Sequence, residues 1–148
     1  RPIRGGGGIK PDVLILSDSM STPEQLVAKA IAPKSQLVYA GLTDLAVDSR
    51  NGLQPDFEIT EPMRDRFAAI VRDAGIEVTA EQLAAARPLV DRWVAQQIAR
   101  TAFGDSTAFR RRIRDDAQLK EALGMLRKGR TQAELLAEAT STERGAVN

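Results

Sequence analysis

"TAEQLAAARPLVDRWVAQQIARTAFG", residues 79–104, decides how this chain is read. Thr79 with Gln82 three residues later is a reciprocal cap, in which the hydroxyl accepts the third helical N–H and the amide side chain returns to the cap's own N–H. Leu83, Leu89, Val90, Trp93, Val94, Ile98 and Ala102 follow as the apolar face of a helix that Gly104 closes. Pro88 stands inside this pattern. Its ring carries no N–H and crowds the preceding turn, so a kink or break is expected near Ala86–Arg87.

The same signals recur on both sides. Thr60 caps "EPMRDRFAAIVRDAG", in which Met63, Phe67, Ile70 and Val71 share a face and Gly75 ends the helix. The preceding "LQPDFEI" reads as extended. Further back, a helix from Gln36 to Asp48 carries Leu37, Val38, Leu42 and Leu45 on one side, with Arg50-Asn51-Gly52 as its stop. Gly41 in its middle either weakens it or marks a close contact. The first helix is expected to open on Thr22, with Pro23 at its first position and Gln25 as the reciprocal capping residue. It would bury Leu26, Val27, Ala30 and Ile31 and end at Pro33. Downstream, "DSTAFRRRIRDDAQLKEALGMLRKG" reads as one helix with a joint near Asp115, closing at Gly129. Thr131 with Glu134 then caps a last short helix through Ala139, and residues 141–148 form a polar tail expected to fray.

The beginning of the chain is of another kind. In "RPIRGGGGIKPDVLIL", residues 1–16, four glycines separate two short apolar segments. A phosphate cradle needs a strand before the glycines and a helix N-terminus after them. Here Lys10 leads into Pro11 and Asp12, and Val13 to Leu16 read as a strand, so the glycines make a turn or bulge between strands. Arg1, Ile3, Gly5 to Gly8, Ile9, Pro11, Asp12 and Val13 resemble the stretch near the end of the protease core in the carboxyl-terminal processing (tail-specific) serine proteases. Residues beyond 16 resemble, more weakly, the helical extension that bacterial members carry. The resemblance implies a serine nucleophile and a lysine base upstream of the glycines, outside this chain. It also implies hydrolysis of peptide bonds near protein C-termini and a periplasmic or envelope location.

Composition bounds the rest. A chain of 148 residues can bury a core without staples, and 43% apolar with 28% charged residues is ordinary for a globular protein. A formal net charge of +1 gives no global field for nucleic acid or an acidic membrane. The absence of cysteine removes disulfides and thiolate chemistry, and the absence of histidine removes the commonest general base and metal ligand. No segment approaches the run of about 18 apolar residues that spans a bilayer. A chain opening on Arg-Pro rather than Met is expected to be a fragment or a processed product.

Four groups of residues invite a chemical reading. Arg110, Arg111, Arg112 and Arg114, between Phe103 and Phe109, could form a phosphate surface. Phe109 and Ile113 are four apart, however, and are expected to face the core. The arginines then line solvent beside Asp115, Asp116 and Glu121. Asp56, Glu58 and Glu61 would need convergent oxygens to hold a metal or work as an acid–base pair. Glu61 is explained more simply by the dipole of the helix it opens. Ser17, Ser19, Ser21 and Ser35 lie near Lys10, Lys29 and Lys34, but no turn in the sequence presents any of these serines as a nucleophile. Trp93 reads as a core anchor, with a peptide groove as the alternative, and Tyr39 as a packed ring with a wet hydroxyl.

The expectation is therefore a mainly α chain: last strands of a protease core at 1–17 as a short β hairpin, a multi-helix domain at 18–140, and a tail. No catalytic, cofactor-binding or metal-binding residue is assigned within it. Its role would be scaffold, dimerisation surface, or contact to a protein or peptide substrate or adaptor, without nucleic acid and without a membrane span. A free-standing helical interaction module without protease ancestry is the rival reading, and an arginine-mediated nucleic-acid binder the third.

Overall fold

Helix α5, Arg87–Phe103, is the element around which the others pack. The computed structural model describes residues 20–129, 131–135 and 137, and every regular element among them is helical. The expected strands within 1–17 and the tail at 141–148 lie outside the described residues. The described residues fall into two units that divide between Asp115 and Asp116.

The first unit holds α1 (Thr22–Ile31), a 3-10 turn (Ala32–Lys34), α2 (Ser35–Ser49), α3 (Glu61–Asp73), α4 (Ala80–Ala85), α5 and α6 (Asp105–Asp115). Helix α5 pairs most extensively with α2 and α6, while α3, α1 and α4 close over its remaining faces. Leu89, Val90, Val94, Ile98 and Ala99 of α5 are buried on several sides of the helix. They meet Val27 and Ile31 of α1, Val38, Leu42, Leu45 and Ala46 of α2, Phe67 and Val71 of α3, and Ala108 of α6 in one core.

Pro88 breaks the chain where its chemistry requires. Ala86 ends α4, its N–H donating to the carbonyls of Gln82 (3.1 Å) and Leu83 (3.2 Å), and caps α5. Pro88 then occupies the first turn of α5, where its missing N–H would have had no partner. The Thr79–Gln82 cap forms in both directions: Thr79 N–H donates to Gln82 Oε1 at 2.8 Å, and Gln82 N–H to Thr79 Oγ1 at 3.2 Å. Gly52, Gly75 and Gly104 all adopt positive φ after helices, the conformation in which glycine carries no Cβ penalty. The joint expected near Asp115 is a break, because Asp116 takes extended backbone and its carboxylate accepts Leu119 N–H at 2.9 Å.

Helix α1 departs from expectation at its start. The cap is Ser21, one residue earlier than Thr22, and the reciprocal partner is Glu24 rather than Gln25. Glu24 accepts from Ser21 N–H (2.8 Å) and Ser21 hydroxyl (2.9 Å), while Gln25 Nε2 donates to Met20 carbonyl. The shift has a tertiary cause. Glu24 is buried, and its second oxygen receives Arg92 of α5 at 2.8 Å, so the capping residue also ties α1 to the central helix. Leu26 and Leu37, expected in the core, are exposed, because Val27 with Ile31 and Val38 with Leu42 already fill the space against α5.

The hydrogen bonds from Ser21, backbone first, hold the Glu24 carboxyl below the usual carboxylate range, with Arg92 adding to them and burial opposing. A folded value below the unfolded one, about 4.3, gives a contribution that is complete above the unfolded value. It is lost as pH falls through the folded value. The stability difference between the natural chain and Glu24→Gln is thus expected to be largest near neutrality and to shrink as pH falls through the acid range. Urea midpoints of both proteins across that range measure it, and a constant difference would contradict it.

The second unit contains α7 (Ala117–Lys128), ended by Gly129, and the turn in which Thr131 Oγ1 accepts Glu134 N–H at 3.3 Å. Leu123 and Leu126 of α7 are exposed.

Candidate functional site

Two helices separated by half the unit present matching faces to one groove. On α2, Ser35, Val38, Tyr39 and Leu42 stand at i, i+3, i+4 and i+7; on α5, Trp93, Gln96, Gln97 and Arg100 repeat the same spacing. With Ile31 from the end of α1 they line an open groove of about 280 Å³. Ile31, Val38 and Leu42 are buried, whereas Tyr39 is 54% exposed at the rim.

The polar lining divides into a fixed part and an open part. Gln97 is 7% exposed, and its Nε2 donates to Thr43 Oγ1 at 3.0 Å; the Thr43 hydroxyl in turn donates to the Tyr39 carbonyl at 2.9 Å. This chain braces α5 against α2 beneath the groove. Among the described residues, no side-chain hydrogen bond engages the Tyr39 hydroxyl, the Trp93 indole N–H or the Gln96 amide. Among the described residues, Arg100 is the only charged one in the lining, and it pairs with Asp105 at 3.0 Å. An apolar floor with a few open polar groups above it is the general composition of ligand and side-chain pockets.

Comparison with family models, with curated proteins and with solved structures finds no match.

Trp93 packs against the core, as its place on the apolar face suggests, and also borders the groove. Its ring packs on Phe67 of α3, centroids 6.3 Å apart and planes tilted by 52°. Nothing in the sequence marked Gln96, Gln97 or Arg100. The signal present was their i, i+3, i+4, i+7 spacing with Trp93, which becomes visible only once α2 is known to be the facing helix.

Of the serine and lysine candidates within the described residues, Ser21 and Lys34 are engaged structurally and Lys29 is exposed. Ser21 caps α1. Lys34 Nζ donates to the carbonyls of Ala74 (2.9 Å) and Gly75 (2.7 Å), closing the C-terminal end of α3, where a cation is favoured by the dipole. Ser35 lines the groove. Ser17, Ser19 and Lys10, like Gly5 to Gly8, lie outside the described residues.

Asp56, Glu58 and Glu61 are all exposed, and no cluster of potential metal ligands occurs among the described residues. Glu61 accepts from Arg64 (2.9 Å) and Arg87 (2.8 Å). Arg64 also grips Asp91 of α5 with two bonds of 2.7 and 2.9 Å, which hold its guanidinium even further from deprotonation. These four groups neutralise one another beside a cleft of about 190 Å³ and brace α3 on α5. No helix among the described residues is long and apolar enough to cross a membrane.

The arginine cluster is not the uniformly solvated face that its spacing suggested. Phe109 is 52% exposed and Ile113 only partly buried, because the small Ala108 is the residue that lets α6 approach the core. Arg111 turns toward the 53–59 segment: its two terminal nitrogens donate to the carbonyls of Pro55 and Phe57, each at 2.9 Å. Its guanidinium lies 4.2 Å above the Phe57 ring, which stacks on Phe103 at 6.2 Å. Arg112 only covers the exposed Phe109 ring, at 5.4 Å. Arg111→Gln is expected to cost about 1–2 kcal/mol, from charged hydrogen bonds and a cation–π contact together. Arg112→Gln should stay within about 0.5 kcal/mol. Urea unfolding of the two variants separates them, and equal costs would show that Arg111 anchors nothing.

Proposed function

We propose that the chain is the non-catalytic helical C-terminal part of a carboxyl-terminal processing serine peptidase. In that enzyme it acts as a scaffold and as a contact region for a substrate, an adaptor or a second copy. The observation that carries this reading is the segment Gly5 to Gly8, Ile9, Pro11, Asp12 and Val13, followed at once by a helical body. On this reading residues 1–17 are the last strands of the protease core and form its hairpin. The serine and lysine of the parent enzyme stand upstream, and the parent works in the periplasm or envelope, cutting proteins near their C-termini. The structural engagement of Ser21 and Lys34 supports placing that chemistry elsewhere.

The coding sequence upstream of Arg1 tests the ancestry. A serine presented by a glycine-rich turn, with a lysine roughly two dozen residues later, is expected there. The chain alone is expected to leave an unstructured protein substrate intact at neutral pH. Cleavage that survives purification and disappears in Ser21→Ala or Ser35→Ala would overturn the assignment. The second reading, a free-standing helical interaction module, is favoured by the Tyr39–Trp93 groove, which needs no protease beside it. An upstream sequence without the serine and lysine would select it.

A further inference from the structure

We propose that the groove between α2 and α5 docks an amphipathic helix of a partner protein. Two apolar side chains one turn apart enter between Tyr39 and Trp93, and a carboxylate side chain meets Arg100. This deepens the contact role proposed above and does not depend on the protease ancestry.

Size sets the first limit. At about 280 Å³ the groove falls just below the range of about 300–1,000 Å³ typical of small-molecule and cofactor sites. It is suited to one or two side chains of a larger partner. Backbone chemistry sets the second. Both walls are α-helical, from the first residue of α2 to the last turn of α5, so an extended peptide finds no strand edge to join. Recognition must pass through side chains, as it does when an amphipathic helix lies in a groove and inserts residues at i and i+3 or i+4.

Charge then selects among such helices. Among the described residues, the lining contains a cation, Arg100, and no carboxylate. Arg100 is held only by Asp105, whose side chain is 88% exposed. An ion pair that open to water contributes little, so an incoming carboxylate can replace Asp105. A basic partner helix would instead meet Arg100 as a like charge. The open Trp93 N–H, Tyr39 hydroxyl and Gln96 amide can bond its polar flank, and aromatic residues with arginine are the usual anchors of interfaces. The exposed leucines of α7 travel with Lys120, Arg127 and Lys128 against Glu121 alone, which argues against a second copy supplying that helix.

The test uses two fluorescein-labelled helical peptides of about 15 residues. They carry the same leucines at i, i+3, i+4 and i+7, flanked by glutamates in one and by lysines in the other. Titrated with the full chain at low salt, the glutamate peptide is expected to bind about tenfold more tightly or better. Emission from Trp93, the single tryptophan, should shift to the blue on binding. Tyr39→Ala, at an exposed ring, should keep its melting temperature and lose about tenfold in affinity. Arg100→Gln should bind the two peptides equally. The proposal is overturned if the unmodified chain binds neither peptide or both alike, or if Tyr39→Ala binds undiminished. It also falls if the chain alone forms a dimer that Tyr39→Ala dissolves, since the occupant is then a second copy. The upstream serine and lysine decide the protease reading separately, whichever way the peptides behave.

Discussion

Replacing Phe67 by alanine is expected to destabilise the helical unit by about 3–5 kcal/mol, the range for deleting a buried aromatic ring. Phe67 is the largest fully buried side chain, with no exposed surface, where α3 meets α5. Truncation removes its apolar burial and leaves a void that the surrounding helices fill only in part. The neighbouring cleft of about 190 Å³, which Phe67 itself lines, limits how far they can collapse. A domain of this size holds only about 5–15 kcal/mol in total, so the variant should melt more than about 10 °C lower. Phe67→Leu, which keeps most of the volume, should lose far less. Since Phe67 supports the Trp93 ring from behind, both variants should also change the tryptophan emission. A loss below about 1 kcal/mol for the alanine variant would mean that α3 is not a structural partner of α5.

How much of this was readable beforehand depends on the distance over which each interaction acts. The Thr79–Gln82 cap, the break at Pro88, the joint at Asp115–Asp116 and the glycine stops each involve residues within a few positions, and sequence alone located them. At the start of α1 two hydroxyl residues able to cap, Ser21 and Thr22, stand side by side. The choice between them rests on Glu24 reaching Arg92, 68 residues away. Apolar periodicity identified the right helices but drew their faces too wide. Leu26, Leu37 and Phe109 sit at the edges of those faces, and whether an edge is covered depends on the neighbouring helix.

The groove shows the same division. Tyr39 and Trp93 stand out singly in the sequence, as large rings with polar tips, but nothing local says that residues 54 apart in sequence share one cavity. Gln97 gives no sign of being buried until Thr43 is placed opposite it. Arg111 is the clearest miss. Among neighbouring arginines it is chemically indistinguishable, and only the return of the 53–59 segment beneath it gives it carbonyls to bind and a ring to cover.

Gly41→Val is expected to cost about 2–3 kcal/mol, although glycine inside a helix is ordinarily a weakness worth about 1 kcal/mol. The reason is the close approach of α2 to α3. A Cβ on residue 41 would lie 2.6 Å from Cγ2 of Ile70, 3.0 Å from its Cγ1 and 3.3 Å from its Cβ. Ile70 cannot swing aside as a lysine or methionine could, because its branched β-carbon restricts χ1 and turning one γ-carbon away brings the other in. The helices must therefore separate, which loosens the packing of Val38 and Leu42 that also forms the groove floor. Gly41→Ala tests the balance more finely: its gain in helix propensity, about 1 kcal/mol, is set against the same first clash. It should be neutral or destabilising rather than stabilising. Combining Gly41→Val with Ile70→Ala should recover part of the loss, with a coupling of about 1–2 kcal/mol between the two positions in a urea-unfolding cycle. Simple additivity would mean that Gly41 is not held as glycine by Ile70, and that the contact between α2 and α3 is looser than 2.6 Å implies.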